Sequence, residues 1–177
     1  GWPDILTTSL APWENVVEGL RAGFAPPNPR AVHADSNRLF RNNRNGTFTD
    51  VTFEAKLYFP TGTMGAGVAD LDNDGFVDFY FGTGDPQLTR LEPNRFFRNN
   101  GDGTFTDWTT AVGFARPGNK GHGVTFIDLD NDGDLDVYAQ LGGHYPGDSA
   151  HNALYRNLRG NRNHWIAVEL KGRAGNP

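Results

Sequence analysis

The chain repeats itself, and the length of the period limits what it can fold into. NRLFRNNRNGTFTDVT at 37–52 returns as NRFFRNNGDGTFTDWT at 94–109, and GAGVADLDNDGFVDFYFG at 65–82 returns as GHGVTFIDLDNDGDLDVYAQ at 121–140. A third opening, NALYRN, starts at Asn152. Asn37 and Asn94 are 57 residues apart, Asn94 and Asn152 are 58 apart, and Asp70 and Asp128 are 58 apart. Two independent segments keep one period, so the repeat is structural and each unit is one supersecondary building block.

Each unit reads as strands. RLFRN and GTFTDVT flank an Asn/Gly-rich turn, and GAGVAD and FVDFYFG flank an acidic turn, which makes two hairpins per unit. Phe76, Asp78 and Tyr80 fall on one face of the last strand and Val77, Phe79 and Phe81 on the other. Both faces are partly apolar, as in a strand held between neighbouring sheets. Four strands in about 58 residues is the arithmetic of a propeller blade. The predicted fold is therefore all-β, with blades of four antiparallel strands. The boundaries predicted are 37–93 and 94–151 for two repeats and 152–162 for the start of a further unit. One helical stretch, APWENVVEGLRAGF at 11–24, interrupts the pattern.

The opening GWPDIL fits the same frame. With Gly1 aligned on Gly75 and Gly133, Asp4 falls on Asp78 and Asp136, and DIL falls on DFY and DVY. The segment 1–36 then reads as the end of a cut propeller unit whose acidic loop lacks its first five residues. Gly1 to Asn37 is 36 residues where Gly75 to Asn94 is 19, so 17 residues around the helical stretch are an insertion between strands.

DLDNDGFVD at 70–78 and DLDNDGDLD at 128–136 share D-x-D-x-D-G-x-x-D. A hard cation takes six to eight oxygens at short range. Three alternate carboxylates of a tight loop point inward, the glycine at six permits the turn, position seven offers a carbonyl, and the aspartate at nine closes the shell. The predicted cages are Asp70, Asp72, Asp74, the Phe76 carbonyl and Asp78, and Asp128, Asp130, Asp132, the Asp134 carbonyl and Asp136. An EF-hand would need glutamate at position twelve and flanking helices. Phe81 and Ala139 stand at twelve instead, between strands. Four carboxylates within nine residues repel one another without a counter-ion, and Ca2+ suits the donor set better than Mg2+, which keeps its waters. Two Ca2+ ions would bring the formal charge of −5 to −1. Asp4 belongs to a third, truncated site.

Composition narrows the function. A net charge of −5, dispersed along the chain, does not suit a nucleic-acid or anionic-membrane binder. There is no cysteine, hence no disulfide, thiolate metal site or thiol nucleophile. No apolar run is long enough for a transmembrane helix.

The repeats resemble the FG-GAP/VCBS repeats of integrin-α-like β-propellers, through NRFFRNNGDGTFTDWTTAVGF and GHGVTFIDLDNDGDLDVY. The tail NRNHWIAVELKGRAGNP, within 163–177, is similar to the start of the ASPIC/UnbV segment that follows such repeats in a group of secreted proteins. The resemblance implies Ca2+ in the acidic loops, an extracellular location, and service in adhesion, recognition or assembly.

Other residues carry weaker signals. His33, His122, His144, His151 and His164 share no motif spacing, and GDSA at 147–150 lacks the strand–turn–helix context of a nucleophilic serine. NGT at 45–47 makes Asn45 a glycosylation acceptor by sequence. Arg38, Arg41, Arg95, Arg98 and Arg156 recur with the period and are expected to neutralise acidic neighbours. The expectation is a non-enzymatic calcium-binding propeller with a protein or carbohydrate ligand. Two alternatives stand beside it: a subunit of a homopolymeric fibre or oligomer joined by strand edges, and an enzyme on a propeller scaffold, such as a lyase or lipase.

Overall fold

A computed structural model describes residues 2–10, 37–84, 92–115, 120–143 and 150–162. The helical stretch at 11–24, the tail from 163, His33, His144, His164 and residues 147–149 lie outside the described residues. Among the described residues, ten strands form three antiparallel sheets side by side. The first holds β1 (Ile5–Thr7), β2 (Arg38–Asn42) and β3 (Phe48–Asp50). The second holds β4 (Thr63–Ala69), β5 (Asp78–Thr83), β6 (Arg95–Asn99) and β7 (Phe105–Asp107). The third holds β8 (Gly121–Ile127), β9 (Asp136–Leu141) and β10 (Ala153–Tyr155). No α-helix occurs among the described residues, and a single 3-10 turn spans Gly160–Arg162.

The fold is all-β, and its sheets fall half a period out of step with the unit counted from Asn37. That unit gives β2 and β3 to the first sheet and β4 and β5 to the second. The next gives β6 and β7 to the second sheet and β8 and β9 to the third. Register follows the repeat closely. Ile5 lies opposite Phe40 as Phe79 lies opposite Phe97, so the segment after GWPD holds the place of β5 in the first sheet. Leu154 opposite Tyr138 likewise matches Phe96 opposite Tyr80.

β5 is buried along its whole length because sheets cover both its faces. Phe79 and Phe81, with Phe97 and Phe105 from β6 and β7, meet Ala55, Leu57 and Phe59 on the side of the first sheet. Phe59 stacks on Phe97 at 4.5 Å and Phe79 on Phe105 at 4.7 Å. Each such ring pair adds about 0.5–1.5 kcal/mol beyond area burial. Tyr80 and Phe96 face the other way, onto Phe114, Val137, Ala139 and Leu141. Leu57 and Phe114 arrive on equivalent turns, whose amides donate to the carbonyls of Thr52 and Thr109.

One asparagine per unit ties consecutive strands together. The Oδ1 atoms of Asn37, Asn94 and Asn152 accept from the amides of Ser9, Thr83 and Leu141, at 2.9, 3.0 and 3.2 Å. Adjacent sheets meet along β4 and β8. There Gly65 is obligatory, since a Cβ would stand 1.7 Å from the His122 carbonyl oxygen.

Candidate metal centres

The two acidic loops join β4 to β5 and β8 to β9, and they fold alike. The first aspartate organises the turn. Asp70 accepts from the amides of Asp74 (3.0 Å) and Gly75 (2.8 Å), and Asp128 from those of Asp132 (3.1 Å) and Gly133 (3.0 Å). Gly75 and Gly133 share a φ of 92°, so the glycine at position six meets a left-handed turn. Position four is left-handed too, with Asn73 at 53° and Asn131 at 59°. Asparagine tolerates that region better than most residues. The sequence carries this second signal in both loops, but sequence reasoning passed over it.

The aspartate at position nine is buried and holds backbone. Asp78 Oδ1 accepts from the Asn99 amide at 2.9 Å and Oδ2 from the Leu71 amide at 3.1 Å. Asp136 accepts from Asn157 at 2.8 Å and Leu129 at 3.3 Å. Asp4 accepts from the Asn42 amide at 2.8 Å, the same bond in the first sheet. Burial pushes the Asp78 carboxyl up to about 6; the amide bonds from Asn99 and Leu71 oppose this, while the charges of Asp72 and Asp74 add to it.

Of the predicted ligands, the first loop gathers carboxylate oxygens of Asp70, Asp72 and Asp78 within 4.8 Å of one another, and the second gathers those of Asp128, Asp130 and Asp132. Asp74 is not among them, and like Asp72 it lies against Arg98. The side chain of Phe76 is exposed, that of Asp134 is buried, and Asp136 serves the Asn157 and Leu129 amides. Each gathered set is all hard oxygen. Hard cations take such oxygen donors. Two clusters in these loops can thus hold a metal ion.

Four of the five recurring arginines sit on carboxylates. Arg38 binds Asp50 at 2.9 Å and Arg95 binds Asp107 at 3.1 Å. Arg156 binds Asp130. Arg98 spans two loop positions, with Nε on Asp72 and Nη2 on Asp74, each at 2.6 Å, and its guanidinium lies 4.9 Å from the Trp108 ring centre.

The loops also touch each other, which no local pattern foretells. Asn73 Nδ2 donates to the carbonyls of Gly133 (2.9 Å) and Gly160 (3.0 Å), and Asn157 Nδ2 donates to those of Leu71 (2.7 Å) and Leu135 (3.3 Å). Gly160 is wedged between them; a Cβ there would stand 2.6 Å from the Asp134 Cβ and 2.7 Å from the Leu71 oxygen.

Asn45 lies exposed in the β2–β3 turn, where its Oδ1 accepts from the Thr47 amide and hydroxyl. Asp102 does the same for Thr104 in the next unit. His122 is half-buried on β8 and His151 is exposed.

Comparison with known proteins agrees with the repeat. The model of the FG-GAP-like repeat matches residues 28–81 and 82–139, more than half of the chain. Cartilage acidic protein 1 of Homo sapiens is 32% identical over 88 residues, which are 50% of this chain and 12% of that protein.

Proposed function

From the premise that the chain belongs to the FG-GAP-like repeat family, we propose that it is a non-enzymatic, extracellular β-propeller module that binds Ca2+ in its two acidic loops and serves recognition or adhesion. The observation that carries the reading is the convergence of three carboxylates in each of two loops held in the same place by the same hydrogen bonds. Asp70, Asp72, Asp74 and Asp78, with the Phe76 carbonyl, would hold one ion. Asp128, Asp130, Asp132 and Asp136, with the Asp134 carbonyl, would hold the other. Bound Ca2+ would supply the positive charge that one arginine per loop does not fully provide against four crowded carboxylates. The extracellular setting rests on the family and on similarity to a protein named for cartilage. No helix among the described residues is long and apolar enough to cross a membrane.

A ligand that binds the native state and not the unfolded chain adds to stability. Chelation by EDTA is therefore expected to lower the melting temperature, with Ca2+ restoring it better than Mg2+. A melt that EDTA leaves unchanged refutes the calcium reading.

A further inference from the structure

We propose that Arg98 is a displaceable counter-ion of the first acidic loop, a residue that competes with the cation there and is released onto solvent when the cation binds. The inference rests on the calcium reading above and concerns what this chain sets against it.

Asp72 and Asp74 stand at positions three and five of the loop, where a cation would draw them together. One guanidinium now holds both, through two hydrogen bonds of 2.6 Å. Such charge-assisted bonds are roughly twice as strong as neutral ones. The first loop brings in Asp70, Asp72 and Asp78 but not Asp74, whereas its counterpart in the second loop, Asp132, is one of the gathered three. Arg98 holds Asp72, which is gathered, as closely as Asp74, which is not, so it occupies carboxylate oxygens of both positions.

Guanidinium stays protonated at any physiological pH, so it cannot leave by losing its proton. It must move. The Trp108 ring lies against it at 4.9 Å and holds it in the binding position by a cation–π contact. Arg156, at the same point of the repeat, has a side chain 63% exposed against 27% for Arg98. The first loop therefore has its own cation on a short tether, and Ca2+ must displace it to take the Asp72 and Asp74 oxygens that it holds. Held this way, the loop keeps its shape at low calcium and gives up part of its affinity.

The test is calorimetric titration with Ca2+ alone, on the wild-type chain and on Arg98→Gln. The Asp132→Ala background isolates the first loop. Trp108 emission is followed in parallel and assigned with Trp108→Phe. The expected result is that Arg98→Gln tightens the first loop about tenfold, the worth of roughly 1.4 kcal/mol. The second loop keeps its affinity, and the calcium-dependent change in Trp108 emission disappears. Unchanged or weaker binding at the first loop overturns the proposal, since an arginine that merely orients Asp72 and Asp74 would weaken binding when removed. Arg98→Lys covers the case in which Arg98→Gln does not fold. A lysine cannot span two carboxylates with a planar fork, so it must give intermediate tightening, and an unchanged affinity overturns the proposal equally. Absence of calcium binding at both loops in every variant would instead refute the calcium reading, and this inference with it.

Discussion

Asp78 shows how one side chain can serve structure and a metal loop together. Both its oxygens accept backbone amides, from Leu71 in a buried bond and from Asn99 in a half-buried one. Removing the carboxylate leaves those donors unsatisfied, at about 1–3 kcal/mol each. Asp78→Ala is thus expected to lose roughly 2–4 kcal/mol in urea denaturation even in EDTA. Asp132→Ala in EDTA is expected to cost less than Asp78→Ala, because Asp132 is only half-buried where Asp78 is buried. In calcium titrations Asp132→Ala should lose one site. The control at the neighbouring position is Asn131→Gly, since alanine would be strained at a φ of 59°; it should keep both sites. Asp50 gives a pH prediction. Burial alone would raise its carboxyl, but the Thr52 hydroxyl and amide and the Arg38 guanidinium outweigh burial and lower it from 3.8. A folded value below the unfolded one stabilises the protein above the unfolded value, and that contribution fades as pH falls through the folded one. The stability gap between wild type and Asp50→Asn should therefore be full at neutral pH and close below 3.8.

At the scale of elements, the contact between β4 and β8 depends on residues without side chains. Gly65→Ala would drive a Cβ into the His122 carbonyl, which is backbone and cannot rotate away. A loss of about 1–3 kcal/mol or more is expected in thermal or urea unfolding. The strands themselves were legible in the sequence. Alternation in FVDFYFG announced a strand covered on both faces, and β5 is one. The turns announced themselves by asparagine and glycine. The grouping of strands was not legible, because a periodic pattern has no preferred starting point. Counting from Asn37 is as consistent as counting from Thr63, and only the hydrogen bonds between β5 and β6 choose. The carboxylates of the loops were legible as a set, but not by task. An aspartate at position nine reads the same whether it faces an ion or two amides. The contacts of Asn73 and Asn157 join residues 60 and 86 apart, beyond the reach of any local pattern.

At the scale of the whole molecule, those two asparagines couple the loops. Asn73→Gly keeps the left-handed conformation and removes the bonds to Gly133 and Gly160. It should leave calcium stoichiometry intact while the unfolding transition broadens, read as a calorimetric enthalpy exceeding the van't Hoff value. The half-period offset between repeat and sheet has a mechanical consequence. Each unit lends one hairpin to the sheet behind it and one to the sheet ahead, so the array is woven rather than stacked. Tension along the chain cannot detach one unit and spare its neighbours. It must pull on two sheets at once, and the load at every covalent junction is borne in common by the hairpins on both sides.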